Sequence, residues 1–317
     1  MIRRDLSVAP NRPGWFLICQ SDHAELSGKL ATAWKPASPG RWEEFPHILQ
    51  AITHHDDGWH EWDRVPGICV ESGAPYDFTE VPLTSMLIIW RHSIEISATF
   101  HPIAGYVVSA HFCWLLANSE RFVKTPWLAT LVENLWSPST QRLLLQQRKA
   151  VNSVKISLQA QREWLLEFAG ALPSNLTNGT AHDMAVASQM VGFLKEQLWR
   201  QIAFAQESVQ KGAGDRLWIG LQQLRFYDWL SLWLCMRERD EPETFEPPAG
   251  KEVTFTPIST KDPWKAAFHV DPWPFQVESL DFVLPGKWAP MQKYRSIAGL
   301  ASQWESSHQI EGKLVPK

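Results

Sequence analysis

The sequence predicts a mainly α-helical protein with a small β-rich appendage at the C-terminus. Three observations carry that prediction. Apolar residues recur at helical spacing through most of positions 20–240. Two long patterns rich in Gln, Leu, Glu and Lys, 137–170 and 180–211, are separated by the turn-forming PSNLTNGT. After Asp240 the composition shifts to Pro, aromatic and β-branched residues, as in EPETFEPPAG, VTFTPIS and WPFQVESLDFVLPG. The expected organisation is a helical domain over 1–245, with a two-helix insertion at about 120–211, and a β-rich extension over 246–317 packed on it.

In chain order, GWFLICQ (14–20) reads as a short buried strand or an extended lead-in. SDHAELSGKLATAW (21–34) reads as a helix, with Ser21 or Asp22 as cap and Leu26, Leu30 and Trp34 on one stripe. PASPGRWEEF (36–45) reads as a loop. Pro46 opens a second helix that Gly58 can end, and the Gly- and Pro-rich 63–80 forms a long connection. PLTSMLIIWRHSIEISATF (82–100) is a strongly apolar helix, and Pro102 starts the next, over 102–122. The last long helix covers 215–239.

The 317 residues are 44% hydrophobic and 20% charged, enough to bury a full-sized core. A net charge of −4 argues against general affinity for nucleic acid or anionic membrane, which needs clustered Lys and Arg. The apolar run WFLIC is too short for a signal peptide, and no stretch approaches the ~20 apolar residues that span a bilayer. Cys19, Cys69, Cys113 and Cys235 lie far apart without a CxxC pair, which reads as reduced thiols in a cytoplasmic protein.

The informative residues are ionisable side chains on apolar stripes. His55 shares the stripe of Ile48 and Ile52, and Asp56 follows about 100° further round. His23 precedes Leu26 and Leu30, His111 lies between Val107 and Leu115, and Asp228 continues Leu217, Leu221 and Leu224. A lone His or Asp on an apolar face is more often a satisfied core residue than a ligand. Several helices each presenting one such residue point instead to convergence on a metal. Imidazole plus carboxylate suits Fe, Mn, Zn, Ni or Co, as one or two ions.

The order of these residues resembles the HD-domain superfamily, an all-helical metal-dependent fold best known for phosphohydrolases. AITHHDDG (51–58) is similar to that family's signature of an apolar run, His-Asp, any residue and Gly. The stretches QSDHAELSG, HHDDGWHEWD, VVSAHFCWLL and YDWLSLWLC resemble more closely the domain of unknown function 3891 family. The resemblance implies an HD-domain-like helical bundle with His23, His55, Asp56 and Asp228 as ligands and His111 beside them. His92 and His101, the latter in an HP-x-x-G element, are further candidates for a second metal. Trp59 stands where many HD phosphohydrolases have a basic residue or His, so Arg64, Arg91, Lys29 and Arg225 are the available phosphate-binding cations.

The implied activity is metal-dependent hydrolysis of a phosphoester, a small molecule such as a nucleotide. His54 and Asp57 flank the ligand pair as general acid–base or ligand-orienting candidates. His60, Glu61 and Asp63 read as surface, and Trp59 and Trp62 as packing. Two alternatives stay open. One is an HD-fold di-iron oxygenase, favoured by the surplus histidines. The other is a non-catalytic binding or structural protein, whose amphipathic helices over 137–211 could pair with a second copy as a homodimer.

Overall fold

The structure is a computed structural model, and it describes residues 1–7, 12–35, 45–118, 181–210, 217–236 and 241–317. It divides into two compact units. One joins Met1–Val108 to Ile219–Lys317, and the other is Ser109–Trp218. The expected loop over 36–45 and helix over 137–170 lie, but for Phe45, outside the described residues.

The expected fold class, a mainly α HD-like bundle with a small C-terminal β appendage, is overturned by the sheet. Its seven strands run in the order β1-β2-β6-β7-β5-β4-β3. They are β1 (Ile2–Asp5), β2 (Gly14–Ile18), β3 (Glu243–Phe245), β4 (Val253–Ile258), β5 (Lys265–Asp271), β6 (Leu280–Pro290) and β7 (Glu305–Pro316). Neighbours are antiparallel except β5 and β7, which are parallel, so the sheet is mixed. The N-terminal strands are not a lead-in. β2 pairs with β6, Trp15 opposite Ala289 and Phe16 opposite Trp288. All of β2 is buried, which is why GWFLI reads as an unbroken apolar run rather than an alternating one. Met1, Trp15, Leu17, Ala74, Ala289, Tyr294 and Leu300 form one apolar cluster that draws on both ends of the chain.

The helices of the first unit lie close to their expected positions. They are α1 (Gln20–Ala33), α2 (Pro46–His54), α4 (Leu83–Phe100), the start of α5 (Pro102–Asn118), and most of α7 (Leu217–Met236), while the short α3 (His60–Arg64) was not expected. A further short helix, α8 (Ile297–Ala301), precedes β7. The cap expected from Ser21 or Asp22 is replaced. Cys19 is the N-cap residue of α1 without a side-chain bond, and Gln20 N donates to Asp63 Oδ2 at 2.6 Å. Asp63, expected at the surface, is 2% exposed and also accepts from the Met1 nitrogen at 2.6 Å. A carboxylate at a helix N-terminus satisfies a free N–H and meets the positive end of the dipole. Helix α7 is anchored to the sheet by Trp233, which is fully buried with its ring 5.2–5.8 Å from Phe245, Phe255 and Phe268.

In the second unit, the rest of α5 packs beside α6 (Ala181–Gln210) through a buried polar contact. Gln201 Nε2 donates to Ser109 Oγ at 2.9 Å and Ser109 Oγ to Gln197 Oε1 at 3.3 Å. His111 is buried on α5 within this unit.

Candidate metal centre

Helix α2 stops at His54, earlier than the expected Gly58. His55 is still helical, but Asp56 has φ −109° and ψ 16°, and a 3₁₀ turn follows over Asp57–Trp59. The direction of Asp56 therefore comes from a break in the helix, not from its periodicity. Gly58 is required by close approach. A Cβ there would sit 2.4 Å from both Ile89 O and Ser93 N of α4. Gly58 N donates to Ser93 Oγ at 3.0 Å, which fixes the turn. Gly58→Ala is expected to lower the urea midpoint by the equivalent of about 1–3 kcal/mol, because helix α4 backbone cannot move aside cheaply.

Within the first unit, the turn, α1 and α7 bring His23, His55, Asp56 and Asp228 together. His23 Nε2 lies 3.2 Å from Asp56 Oδ2 and 3.6 Å from Asp228 Oδ1. His55 Nε2 lies 3.2 Å from Asp228 Oδ1 and 3.7 Å from Asp56 Oδ2. Nitrogens and oxygens thus alternate around a small quadrilateral. Ligands held about 2.1 Å from a common ion are separated by about 3.0 Å at octahedral and 3.4 Å at tetrahedral angles. The two 3.2 Å edges fall in that range, the 3.6 and 3.7 Å edges are a few tenths of an ångström longer, and His23, His55 and Asp56 form a group that could hold an ion.

The outer atoms of these side chains are held in ways that turn the inner ones toward the centre. His55 Nδ1 donates to Ile52 O at 2.9 Å, leaving the Nε2 lone pair inward in that tautomer. Trp59 Nε1 donates to Asp56 Oδ1 at 3.1 Å, leaving Oδ2 for the centre. Ser231 Oγ lies 3.5 Å from His23 Nδ1, donates to Asp228 O at 2.9 Å and lies 2.7 Å from Ser27 Oγ. Sequence reasoning placed Trp59 in packing and did not single out Ser27 or Ser231. Their signal was the spacing His23–Ser27 and Asp228–Ser231, one helical turn on the same faces.

The electrostatics are those of a crowded buried site. Burial pushes the Asp56 carboxyl up to about 7, with Asp228 adding to the rise and His55 opposing it. Burial works against a charge on His55, but Asp56 and Asp228 raise it to about 9. Without another cation, Asp56 and His55 thus hold on to protons, which limits the charge of the buried site.

The remaining candidates fall elsewhere. His54 Nδ1 and Asp57 Oδ2 pair with each other at 3.0 Å, half-buried, and that bond raises the His54 pKa. His92 is exposed. His101 Nδ1 accepts from Ile103 N at 3.2 Å, closing the start of α5, and its ring stacks on His47 at 3.7 Å. Arg64 pairs with Glu61 at 2.7 Å in solvent, the side chains 71% and 75% exposed. Arg91 donates to Leu87 O, and Lys29 is exposed. No helix among the described residues is long and apolar enough to cross a membrane.

A family model described as "Protein of unknown function (DUF3891)" matches residues 6–290. No curated protein and no solved structure matches the chain.

Proposed function

Since the chain belongs to the DUF3891 family, whose description names no activity, we propose from the site itself that it is a metal-dependent hydrolase. One observation carries the reading: the alternating His23, Asp56, His55, Asp228 quadrilateral with edges of 3.2–3.7 Å, buried and turned inward by bonds to the outer atoms. The chemistry of the donor set fits a divalent transition ion such as Zn, Fe, Mn, Ni or Co. The likeness of the residue order to HD-domain phosphohydrolases supports the same reading and makes a small phosphoester, for example a nucleotide, the substrate class to test first.

A divalent ion bound there would supply Lewis acidity, polarising a substrate oxygen or lowering the pKa of water toward about 7. The chain's own residues do the rest. Exposures of 5% at Asp56 and 6% at Asp228, against 1% at both histidines, put the accessible edge of the site on the carboxylate side. Substrate approaches from there. His54, held at Nδ1 by Asp57 and next in sequence to the ligand pair, is the acid–base candidate to test.

The test is metal analysis of the purified chain, followed by hydrolysis of bis(4-nitrophenyl) phosphate before and after chelation. Bound transition metal and chelator-sensitive hydrolysis are expected. A folded chain that takes up no divalent ion would overturn the reading.

The pH dependence has a definite sign. Protons occupy Asp56 up to about pH 7 and His55 up to about pH 9. An incoming cation must displace them, so binding releases protons and affinity rises as pH increases through this window. Titration calorimetry in buffers of different ionisation enthalpy reads that release. Affinity that falls with rising pH would contradict the ligand assignment.

A further inference from the structure

We infer that the first unit carries a second binding site, separate from the candidate metal centre, for a small planar anion whose ring has an amide-type edge. The site is a cavity of about 280 Å³ where the end of α1, the face of α7 and the segments before β4 and after β5 meet. That volume is at the lower end of ligand pockets and suits a single ring system.

Its walls are flat and stiff. Trp34, Tyr227 and Trp273 line it, with Pro247, Pro272 and Pro274 between them. Trp34 is held edge-on by Phe226, Tyr227 and Phe275, ring centroids 5.1–5.9 Å away. Trp273 is fixed by its Nε1 donating to Val277 O at 2.6 Å. The loop carrying it is tied to α1 by Lys35 N donating to Pro274 O and Gln276 N to Ala33 O. Rigid aromatic and proline faces favour a flat ring at small entropic cost.

The second observation is Gln223. It lies on α7 in the cavity wall and is 3% exposed. Its carboxamide has no hydrogen-bond partner among the described residues, and its polar atoms are not sealed in the interior. They therefore open into the cavity. A carboxamide offers a donor beside an acceptor. Its complement is an N–H beside a C=O, the edge of a lactam or a pyrimidine.

Charge sets the third requirement. Lys35 and Lys251 stand at the mouth, and no carboxylate lines the cavity among the described residues. Lys35 Nζ donates to Trp273 O at 3.2 Å, so its ammonium is held beside another residue of the cavity wall. A ligand with its ring inside and an anionic group at the rim satisfies all three features.

The probe is orotate, a pyrimidine with a lactam edge and a carboxylate, titrated into the full chain with EDTA present so that the metal centre cannot contribute. Uracil lacks the anion and benzoate lacks the edge, so each is expected to bind about tenfold more weakly. Gln223→Leu should erase the preference for orotate over benzoate. Lys35→Ala with Lys251→Ala, both at exposed positions, should erase the preference over uracil and the salt dependence. Asp56→Ala should leave orotate binding unchanged. Circular dichroism confirms folding of each variant, and the lysine pair keeps the test decisive should Gln223→Leu misfold. No orotate binding at millimolar concentration, or equal binding by the variants, would overturn the site.

Discussion

Asp56→Ala is expected to purify folded but without transition metal, and to have lost chelator-sensitive hydrolysis. The loss in metal affinity should be at least about 100-fold, since even groups that only orient a ligand are worth about 10–100-fold. Stability of the metal-free chain should fall by about 1–3 kcal/mol. Relief of the repulsion between Asp56 and Asp228 offsets only part of the cost of leaving buried Trp59 Nε1 and the two imidazoles without their acceptor. This separation of readouts distinguishes a ligand from a structural residue. If thermal melting of the metal-free chain fell sharply while metal content stayed at wild-type level, the assignment would be wrong. Ser231→Ala should show the graded version, with metal retained at about tenfold lower affinity, because Ser231 meets the outer atom of His23, the backbone of Asp228 and the Ser27 hydroxyl rather than an inward ligand atom.

The second large effect is in the sheet. Trp233→Ala should cost about 3–5 kcal/mol, a large part of the roughly 5–15 kcal/mol that holds a domain folded. Trp233 is completely buried among Phe245, Phe255 and Phe268. Five residues earlier, the same helix presents Asp228. Loosening α7 should therefore lower metal affinity as well, whereas Trp233→Phe should keep the metal at an intermediate stability. Denaturant unfolding followed by tryptophan emission and by far-ultraviolet dichroism tests this. Coincident transitions are expected if the helices and the sheet fold together. A variant whose helical signal is untouched would restore the β strands to a dispensable appendage.

The difference between the expected and observed folds has a specific cause. Helical spacing is local, and α1, α2, α4, α5 and α7 were all legible within a few residues. Strand pairing is not local. GWFLI looked buried, but its partner over Lys287–Pro290 reads KWAP, begins with a charge, ends on a proline and shows no strand-like alternation. Three of the four residues that converge, His23, His55 and Asp228, were legible because each sat on an apolar stripe where an ionisable group needs a reason. The stripe argument did not extend to Asp56, which reaches the same point through a turn. Asp63 was misjudged because WHEWD looks exposed, while its partner, the start of α1, lies far back in the sequence. Gln223 drew no notice, since an unpaired amide is visible only once its neighbours are in place.

The pairing of β2 with β6 also has a consequence in time. A ribosome adding roughly 5–20 residues per second needs on the order of 15–50 s to progress from the first partner to the second. Throughout that interval a fully apolar strand and the His23 helix exist without the sheet that covers them. Nascent chains should accordingly recruit holding chaperones until β6 and β7 have been made. Protease resistance should then appear in one step rather than progressively along the chain.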